Sequence, residues 1–211
     1  LAPARGGRAP LLGQAMIICD IACMRKHMAK SDSFYIRAQT DAAAGGAYAQ
    51  TEIDLGSFVN LGVKTSTLLR IHNIAVQYAD GTIAGGISPE LPMHTTVAGG
   101  GKVAFQLTTQ SQSSMVSAVD KSLVASGNIQ FYGDPAGASG DNAHGISATH
   151  DLDVGPQMWR NGYLVGVDTM FLGAEAGGTI TSGDSVVSIV LECTLESATQ
   201  ASATALALSQ Q

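Results

Sequence analysis

The stretch Val186-Val-Ser-Ile-Val-Leu-Glu-Cys-Thr-Leu195 decides the fold class of this chain. Apolar side chains occupy every second position, and most of the positions between them are polar. The apolar set is Val187, Ile189, Leu191, Cys193 and Leu195, and the intervening set is Ser188, Val190, Glu192, Thr194 and Glu196. Because successive side chains of a strand point to opposite faces, this period of two predicts a β-strand with one buried face.

Similar segments recur along the body of the chain. The second clearest case places Val103, Phe105 and Leu107 at alternate positions after a run of three glycines at 99–101. Six further segments are rich in β-branched or aromatic residues and are bounded by turn residues; they are 34–40, 48–59, 67–79, 91–97, 127–133 and 162–172. The sequence therefore predicts eight strands.

Helical spacing occurs at one place in this body. Met115, Val119 and Leu123 recur four residues apart, which predicts a short helix over 114–125. Strands that lack a regular alternation with helices argue against a parallel α/β fold, and the absence of a repeat of fixed period argues against propellers and solenoids. The predicted fold is an all-β antiparallel sandwich or barrel.

Charge divides the chain into an arm and a body. Residues 1–30 hold five bases and one acid, a net charge of +4, whereas the other 181 residues hold six bases and sixteen acids, a net charge of −10. So acidic a body does not favour binding of nucleic acid by itself. We therefore predict three parts: an N-terminal arm or short helix at 1–30, a β-sandwich at 31–197, and a loose tail or short terminal helix at 198–211.

The arm contains an apolar run between Pro10 and His27 that is too short to span a bilayer. Basic residues follow this run where a signal peptide has small ones, and the sequence from Met28 resembles an ordinary protein start. One interpretation is a short helix packed on its own body or on a neighbouring subunit. The other is a tail that lies on a membrane or reaches nucleic acid.

The segment 134–160 has no convincing period, and we expect a long loop there. It holds the single Trp159, and a cluster of possible cation ligands consists of His144, His150, Asp141, Asp151 and Asp153. The spacing fits neither a zinc helix nor a calcium loop, so solvated or interface-facing polar residues are the favoured interpretation over a metal site. Trp159 beside Arg160 indicates a packing anchor, a sugar platform or a contact in an interface.

Other residues capable of chemistry have structural explanations. Cys19 and Cys23 have three residues between them and lie in an apolar run, and Cys193 falls on a predicted buried face. His72 and His94 are expected to be structural histidines. Glu52 and Asp54 share one face of a strand, where we expect a solvated or subunit-facing edge. We therefore predict no catalytic residues, no cofactor and no metal site, and a protein that is not an enzyme.

The body from Phe34 to Ser197, which ends in the regular strand 186–195 with 162–172 before it, resembles the single jelly-roll capsid proteins of icosahedral viruses. The resemblance implies an eight-stranded β-sandwich of jelly-roll type that assembles into an icosahedral shell. It also implies location in the virion, contact with copies of itself and with other virion proteins, and contact of the arm with genome or inner membrane, with no small-molecule substrate.

Two features of the sequence bear on the kind of virus. The five bases of the arm are fewer than in Arg-rich, RNA-packaging arms, and no Asn in the chain lies in an N-x-S/T sequon. The weakly basic arm favours a shell lined by an inner membrane or a genome packed without neutralisation by the arm, and the lack of sequons fits a virus of bacteria or archaea. The alternative function is a secreted or surface β-sandwich that binds a ligand, such as a carbohydrate-binding or adhesin module, with its site around Trp159. Genome type, shell symmetry and a major or minor role in the virion do not follow from the sequence.

Overall fold

Nine strands and one α-helix make up the part of the chain that the computed structural model describes, which is residues 32–43, 47–62, 64–81, 99–134, 144–178 and 184–211. The strands are β1 Phe34–Ala43, β2 Ala49–Asp54, β3 Thr65–Asp80, β4 Gly99–Thr108, β5 Leu123–Asp134, β6 His144–Val154, β7 Tyr163–Val165, β8 Thr169–Gly178 and β9 Asp184–Thr199. A 3₁₀ turn spans Pro156–Met158, and the helix, α1, spans Gln200–Ser209.

The strands form two antiparallel sheets. The first sheet has the order β1-β9-β3-β7, and the second has the order β2-β8-β4-β5-β6. Hydrogen-bonded pairs nest from the ends of the chain inward: β1 pairs with β9, β2 with β8, β3 with β7, and β4 with β5. A long hairpin wound in this way is a jelly roll, and β6 extends the second sheet by one strand. The predicted jelly-roll β-sandwich is confirmed.

The core lies between the inner faces of the two sheets. On β9 the side chains of Val187, Ile189, Leu191 and Cys193 are buried, and Leu195 packs partly buried against the same cluster. The second sheet contributes a set that includes Val103, Phe105, Leu107, Met170 and Leu172. The alternation that predicted β9 is thus confirmed at the level of single side chains, and each large member contributes roughly 1.5–3 kcal/mol through burial.

A β-bulge in β3 explains why its sequence alternates imperfectly. The pairing register with β9 shifts between Ile71 and Asn73, which leaves His72 as the extra residue. Ile71 before the bulge and Ile74 after it are both buried. The bulge therefore keeps the apolar side chains on both sides of it on the inner face of the strand.

The segment 109–122, between β4 and β5, is an irregular connector, so the helix predicted over 114–125 was wrong. Val119 is 92% exposed, and Leu123 belongs to β5. The connector is held on the outer face of the second sheet by the buried side chain of Gln106, whose Nε2 donates to the Ser114 carbonyl at 3.0 Å and whose Oε1 accepts from the Val116 N–H at 2.7 Å. These tertiary hydrogen bonds outweigh a weak helical spacing.

The segment expected to be a long loop at 134–160 contains strand β6. Residues from His144 to Val154 pair with β5, so the loop prediction was wrong over 144–154. Ile146, Ala148, His150 and Leu152 do alternate with Ser147, Thr149, Asp151 and Asp153, but the alternating residues are too small or too polar to give a clear period.

Other predicted boundaries need smaller corrections. The segment 162–172 is divided between β7 in the first sheet and β8 in the second, because the chain crosses between sheets at 166–168. The strand predicted over 48–59 ends at Asp54. A turn begins there, in which the Leu55 carbonyl accepts from the N–H groups of Phe58 and Val59. The strand predicted at 91–97 and the arm at 1–30 lie outside the described residues.

The helix α1 closes the described part of the chain, where the sequence allowed either a loose tail or a short helix. The Thr199 hydroxyl accepts from the Ser202 N–H at the N-cap, and Ala203 and Ala207 are buried. Among the described residues, no helix has the length and apolar character needed to cross a bilayer.

Candidate interaction surface

His144, His150 and Asp151, which were singled out as possible cation ligands, all lie on strand β6. His144 and His150 stand six positions apart on the extended strand β6, which separates their backbones by roughly 20 Å. Asp153 is exposed, and its carboxylate accepts from the Asn128 side chain at 3.3 Å. Asp141 lies outside the described residues. No group of three or more His, Cys, Asp or Glu able to hold a metal ion occurs within the part of the chain the structure describes.

Cys193 and His72 have the structural roles that the sequence indicated. Cys193 is a free thiol in the core, and burial raises its pKa to about 12. His72 is half-buried, and its Nε2 lies 2.9 Å from the Thr194 hydroxyl oxygen. Cys19, Cys23 and His94 lie outside the described residues.

The paired acids Glu52 and Asp54 lie on β2, an edge strand of the second sheet. Both are exposed, as is Asp168, the residue before β8. The Leu55 N–H donates to the Asp168 carbonyl at 2.7 Å, which fixes Asp168 beside the end of β2. We call Glu52, Asp54 and Asp168 the acidic edge. These acids face solvent, as expected for a solvated or subunit-facing edge.

A tight turn just before β7, at the edge of the first sheet, presents Trp159 to solvent. The Gly162 N–H donates to the Trp159 carbonyl at 3.1 Å, and Gly162 has φ of +67°. A Cβ at Gly162 would overlap the Ile71 carbonyl oxygen, so the turn sits directly on β3 and requires glycine there. Trp159 is 54% exposed in this position. A core anchor would be buried, so this tryptophan is available for contact.

Arg70 fastens the turn to the sheet. Its Nη1 donates to the Asn161 carbonyl at 2.6 Å, and its Nε and Nη2 donate to the two carboxylate oxygens of Glu196 at 2.5 and 2.7 Å. The hydrogen bond to Glu196 raises the pKa of Arg70. Because a bidentate pair of this kind has a fixed geometry, β3, β9 and the turn are joined in one arrangement.

The C-terminal helix forms the opposite wall of a groove beside this turn. The groove has a volume of about 630 Å³, and its lining includes Trp159, Tyr163, Leu164, Leu206 and Gln210. Lys121 and Arg160 are exposed at its rim. We call this the edge groove, because it follows β7, the last strand of the first sheet.

A smaller pocket of about 200 Å³ adjoins the edge groove through Arg160 and Asn161. It is lined by Arg70, His72 and Glu196 as well. Arg70 and Glu196 are already paired with each other, so Arg160 is the cation of this pocket that remains available to a partner.

The β4–β5 connector supplies Lys121 to the groove. The Ser122 hydroxyl and N–H both donate to the Asp120 carboxylate, at 2.7 and 2.8 Å, and these hydrogen bonds lower the pKa of Asp120. The Thr109 hydroxyl then donates to the Gln210 carbonyl at 2.6 Å, which ties the connector to the end of α1. Trp159 and Arg160 could be predicted from the sequence, whereas Lys121, Leu206 and Gln210 could not, since only the tertiary fold brings these distant positions together.

Comparison with known proteins gives structural matches at low similarity. One is the VP1 protein of Trichodysplasia spinulosa-associated polyomavirus in complex with GM1 oligosaccharide, at 11% identity and a TM-score of 0.34, over 80% of this chain and 97% of that one. Another is Merkel cell polyomavirus VP1 in complex with GD1a oligosaccharide, at 10% identity and a TM-score of 0.33, over 79% and 96% of the two chains. No protein-family model and no curated protein matches the sequence. The jelly-roll assignment rests on the strand pairing of this chain itself.

Proposed function

We propose that this chain is a capsid subunit that assembles with copies of itself and with other virion proteins into an icosahedral shell. The observation that carries the proposal is a set of large apolar side chains that this jelly roll exposes: Trp159, Met158 and Leu208 are 54%, 54% and 66% exposed. Exposed large apolar side chains are a liability for a free monomer but are useful where neighbouring subunits cover them.

The fold and the composition support this role together. Jelly rolls serve as capsid, lectin and cupin domains, so the fold alone does not choose among these functions. Only 13% of the residues are charged, and Gly contributes 25 of the 211 residues. A surface so poor in charge favours close contact between like subunits over existence as a soluble monomer.

The N-terminal arm at 1–30 has a separate role in the proposal. Its net charge of +4 opposes the −10 of the body, so the arm contacts genome, an inner membrane or a neighbouring subunit inside the shell. A chain without residues 1–27 should keep the far-ultraviolet circular dichroism of the β-sandwich and lose assembly. Failure of the truncated chain to fold would instead make the arm part of the core. The low charge of the arm supports a shell lined by an inner membrane or a genome packed without neutralisation by the arm, and the lack of glycosylation sequons supports a virus of bacteria or archaea.

The second candidate function is a carbohydrate-binding or adhesin module. The exposed indole of Trp159 beside Tyr163 and Arg160 favours it, because aromatic faces and polar side chains together recognise sugars. A module of this kind functions without forming a shell. The mass of the particle in solution therefore discriminates between the two functions.

Light scattering coupled to size-exclusion chromatography is the test. A capsid subunit should elute as multimers or particles far heavier than the 21.6 kDa chain, and these should persist as NaCl is raised, because apolar contact, which salt does not screen, supplies most of the affinity. A monomer under all conditions that binds a glycan array, with binding abolished by Trp159→Ala, would support the module instead.

A further inference from the structure

The chemistry of the edge groove points to an occupant that is both apolar and acidic. Its walls offer Trp159, Leu164 and Leu206, and its rim offers Lys121 and Arg160. The ion pairs found within the described residues join Arg70 to Glu196 and Lys102 to Glu175, so neither rim cation is engaged in one. A partner that brings carboxylates would meet Arg160 and Lys121, the second of which also lies near the Asp120 carboxylate.

The acidic edge of the same chain supplies such carboxylates. Glu52 and Asp54 project from the same side of β2, with Asp168 fixed beside them. All three are exposed, and neither of the two ion pairs includes any of them. The acidic edge is therefore complementary in charge to the edge groove.

Glu52 and Asp54 of the acidic edge lie on the opposite side of the sandwich from the edge groove, whereas Asp168 follows the end of β7 by three residues. β1 and β7 are the outermost strands of the first sheet, about 14 Å apart across three strand spacings. Glu52 and Asp54 are on the β1 side, since Phe34 of β1 stacks on Phe58, just after β2, with ring centroids 5.0 Å apart. The edge groove is on the β7 side. A single chain cannot join them, whereas neighbouring chains can.

We infer that the edge groove of one copy receives the acidic edge of the next copy, in a head-to-tail contact around Arg160 and Lys121. This inference rests on the proposed function. A contact between two different surfaces of identical chains is heterologous, and it closes into a ring when the rotation between copies divides the circle evenly. Rings of subunits are units from which a closed shell is built.

Charge selects this arrangement over a two-fold one. Pairing groove with groove would oppose Lys121 and Arg160 to their own copies, and pairing edge with edge would oppose carboxylates to carboxylates. Like-charge juxtaposition disfavours both, whereas the head-to-tail contact pairs opposite signs. The apolar surface around Trp159, which the contact would bury, then supplies most of the affinity. The rim charges determine which surface is accepted.

Charge reversal on each side of the contact tests the inference with the full chain. One variant carries Lys121→Glu and Arg160→Glu, and a second carries Glu52→Lys and Asp54→Lys. Each should lower the yield of multimers, measured by light scattering, by about tenfold or more. A chain with all four substitutions should recover to within about threefold of the wild type, because opposite signs meet again.

The matched control reverses charges away from the contact, with Lys64→Glu and Asp153→Lys, and should assemble as the wild type does. All the substituted side chains are exposed, and circular dichroism and the thermal midpoint report whether each variant folds. Recovery by the four-substitution chain also excludes misfolding as the cause of lost assembly. The recovery is therefore the decisive result.

The outcomes separate this inference from the proposed function. If the wild type assembles and the reversals have no effect, or if the four-substitution chain fails to recover, the contact is overturned and the capsid function stands. If the wild type stays monomeric throughout, the proposed function is overturned and the contact with it. Glycan binding that is lost in the Lys121→Glu, Arg160→Glu variant while assembly persists would make the groove a ligand site and overturn the contact.

Discussion

The side-chain amide of Gln210 takes the place of a neighbouring strand beside Leu164. Its Nε2 donates to the Leu164 carbonyl at 2.6 Å, and its Oε1 accepts from the Gly166 N–H at 2.8 Å. These are the groups that an additional strand would engage at the outer edge of β7. Exposed edges invite pairing with other chains, so one buried glutamine and the helix α1 before it protect this edge of the first sheet.

Replacement of Gln210 by Ala should lower the free energy of unfolding by about 1–3 kcal/mol, because a backbone donor and acceptor in a largely buried setting lose their partner. Urea denaturation followed by circular dichroism measures the change. Gln200→Ala, at an exposed position at the start of the same helix, is the control and should have little effect. Equal stability of the two variants would show that the amide does not hold the edge.

Leu191→Ala should lower the free energy of unfolding by about 2–5 kcal/mol, because Leu191 is fully buried between the sheets. Val119→Ala removes apolar atoms from a side chain that is 92% exposed and should change the free energy by less than about 0.5 kcal/mol. Chemical denaturation of both variants measures the difference. A loss below about 1 kcal/mol for Leu191→Ala would contradict the assigned facing of β9.

Gly173→Ala should destabilise the chain by about 1–3 kcal/mol, because a Cβ there would overlap the Tyr48 hydroxyl. Displacement of Tyr48 would also break the 2.8 Å hydrogen bond that its hydroxyl accepts from Gln106. Gly62→Ala, where the new Cβ has ordinary van der Waals space, should be neutral or slightly stabilising.

A double-mutant cycle identifies the cause of the Gly173→Ala effect. If the overlap with Tyr48 is responsible, Gly173→Ala should cost much less in a Tyr48→Ala background than in the wild type. Strict additivity of the two substitutions would instead locate the effect in the backbone of β8.

Alkaline pH should destabilise the fold through buried thiol and phenol groups. Burial raises the pKa of Cys193 from 9.0 to about 12, and burial together with the charge of Asp153 raises the pKa of Tyr78. Between about pH 9 and about pH 12 the unfolded chain has lost the Cys193 proton that the folded chain retains. Stability is therefore fully present below about pH 9 and falls as pH rises toward 12.

The free energy of unfolding, measured at about pH 8 and about pH 10.5, gives the slope. Cys193→Ala should be less stable at the lower pH, because it leaves a cavity, but should lose less stability between the two. Tyr78→Phe should likewise flatten the slope. An unchanged slope in both variants would show that these groups do not set the alkaline limit.

Much of the sandwich could be predicted from sequence because its central strands carry large apolar side chains at alternate positions. β9 and β4 are the clearest examples, and both lie inside their sheets with neighbours on each side. β6, at the edge of the second sheet, was missed because its alternating residues are too small or too polar to give a clear period. The His72 bulge and the division of 162–172 into β7 and β8 depend on pairing with distant strands, which a local pattern does not contain.

The candidate surface could be predicted only in part for the same reason. Trp159 and Arg160 stood out because the chain has a single tryptophan and little charge. Gln210 reaches Leu164 across 46 positions, and the Thr109 hydroxyl reaches Gln210 across 101. No spacing rule connects a short C-terminal helix, an irregular connector and an edge strand, so the groove they form appears only in the folded chain.

Electron microscopy of the purified full-length chain tests the central claim most directly. We expect closed isometric shells built from rings of subunits, with the edge groove of each subunit covered by the acidic edge of its neighbour. A uniform population of isolated 21.6 kDa chains, with Trp159 open to solvent and no shells at any protein or salt concentration, would contradict it.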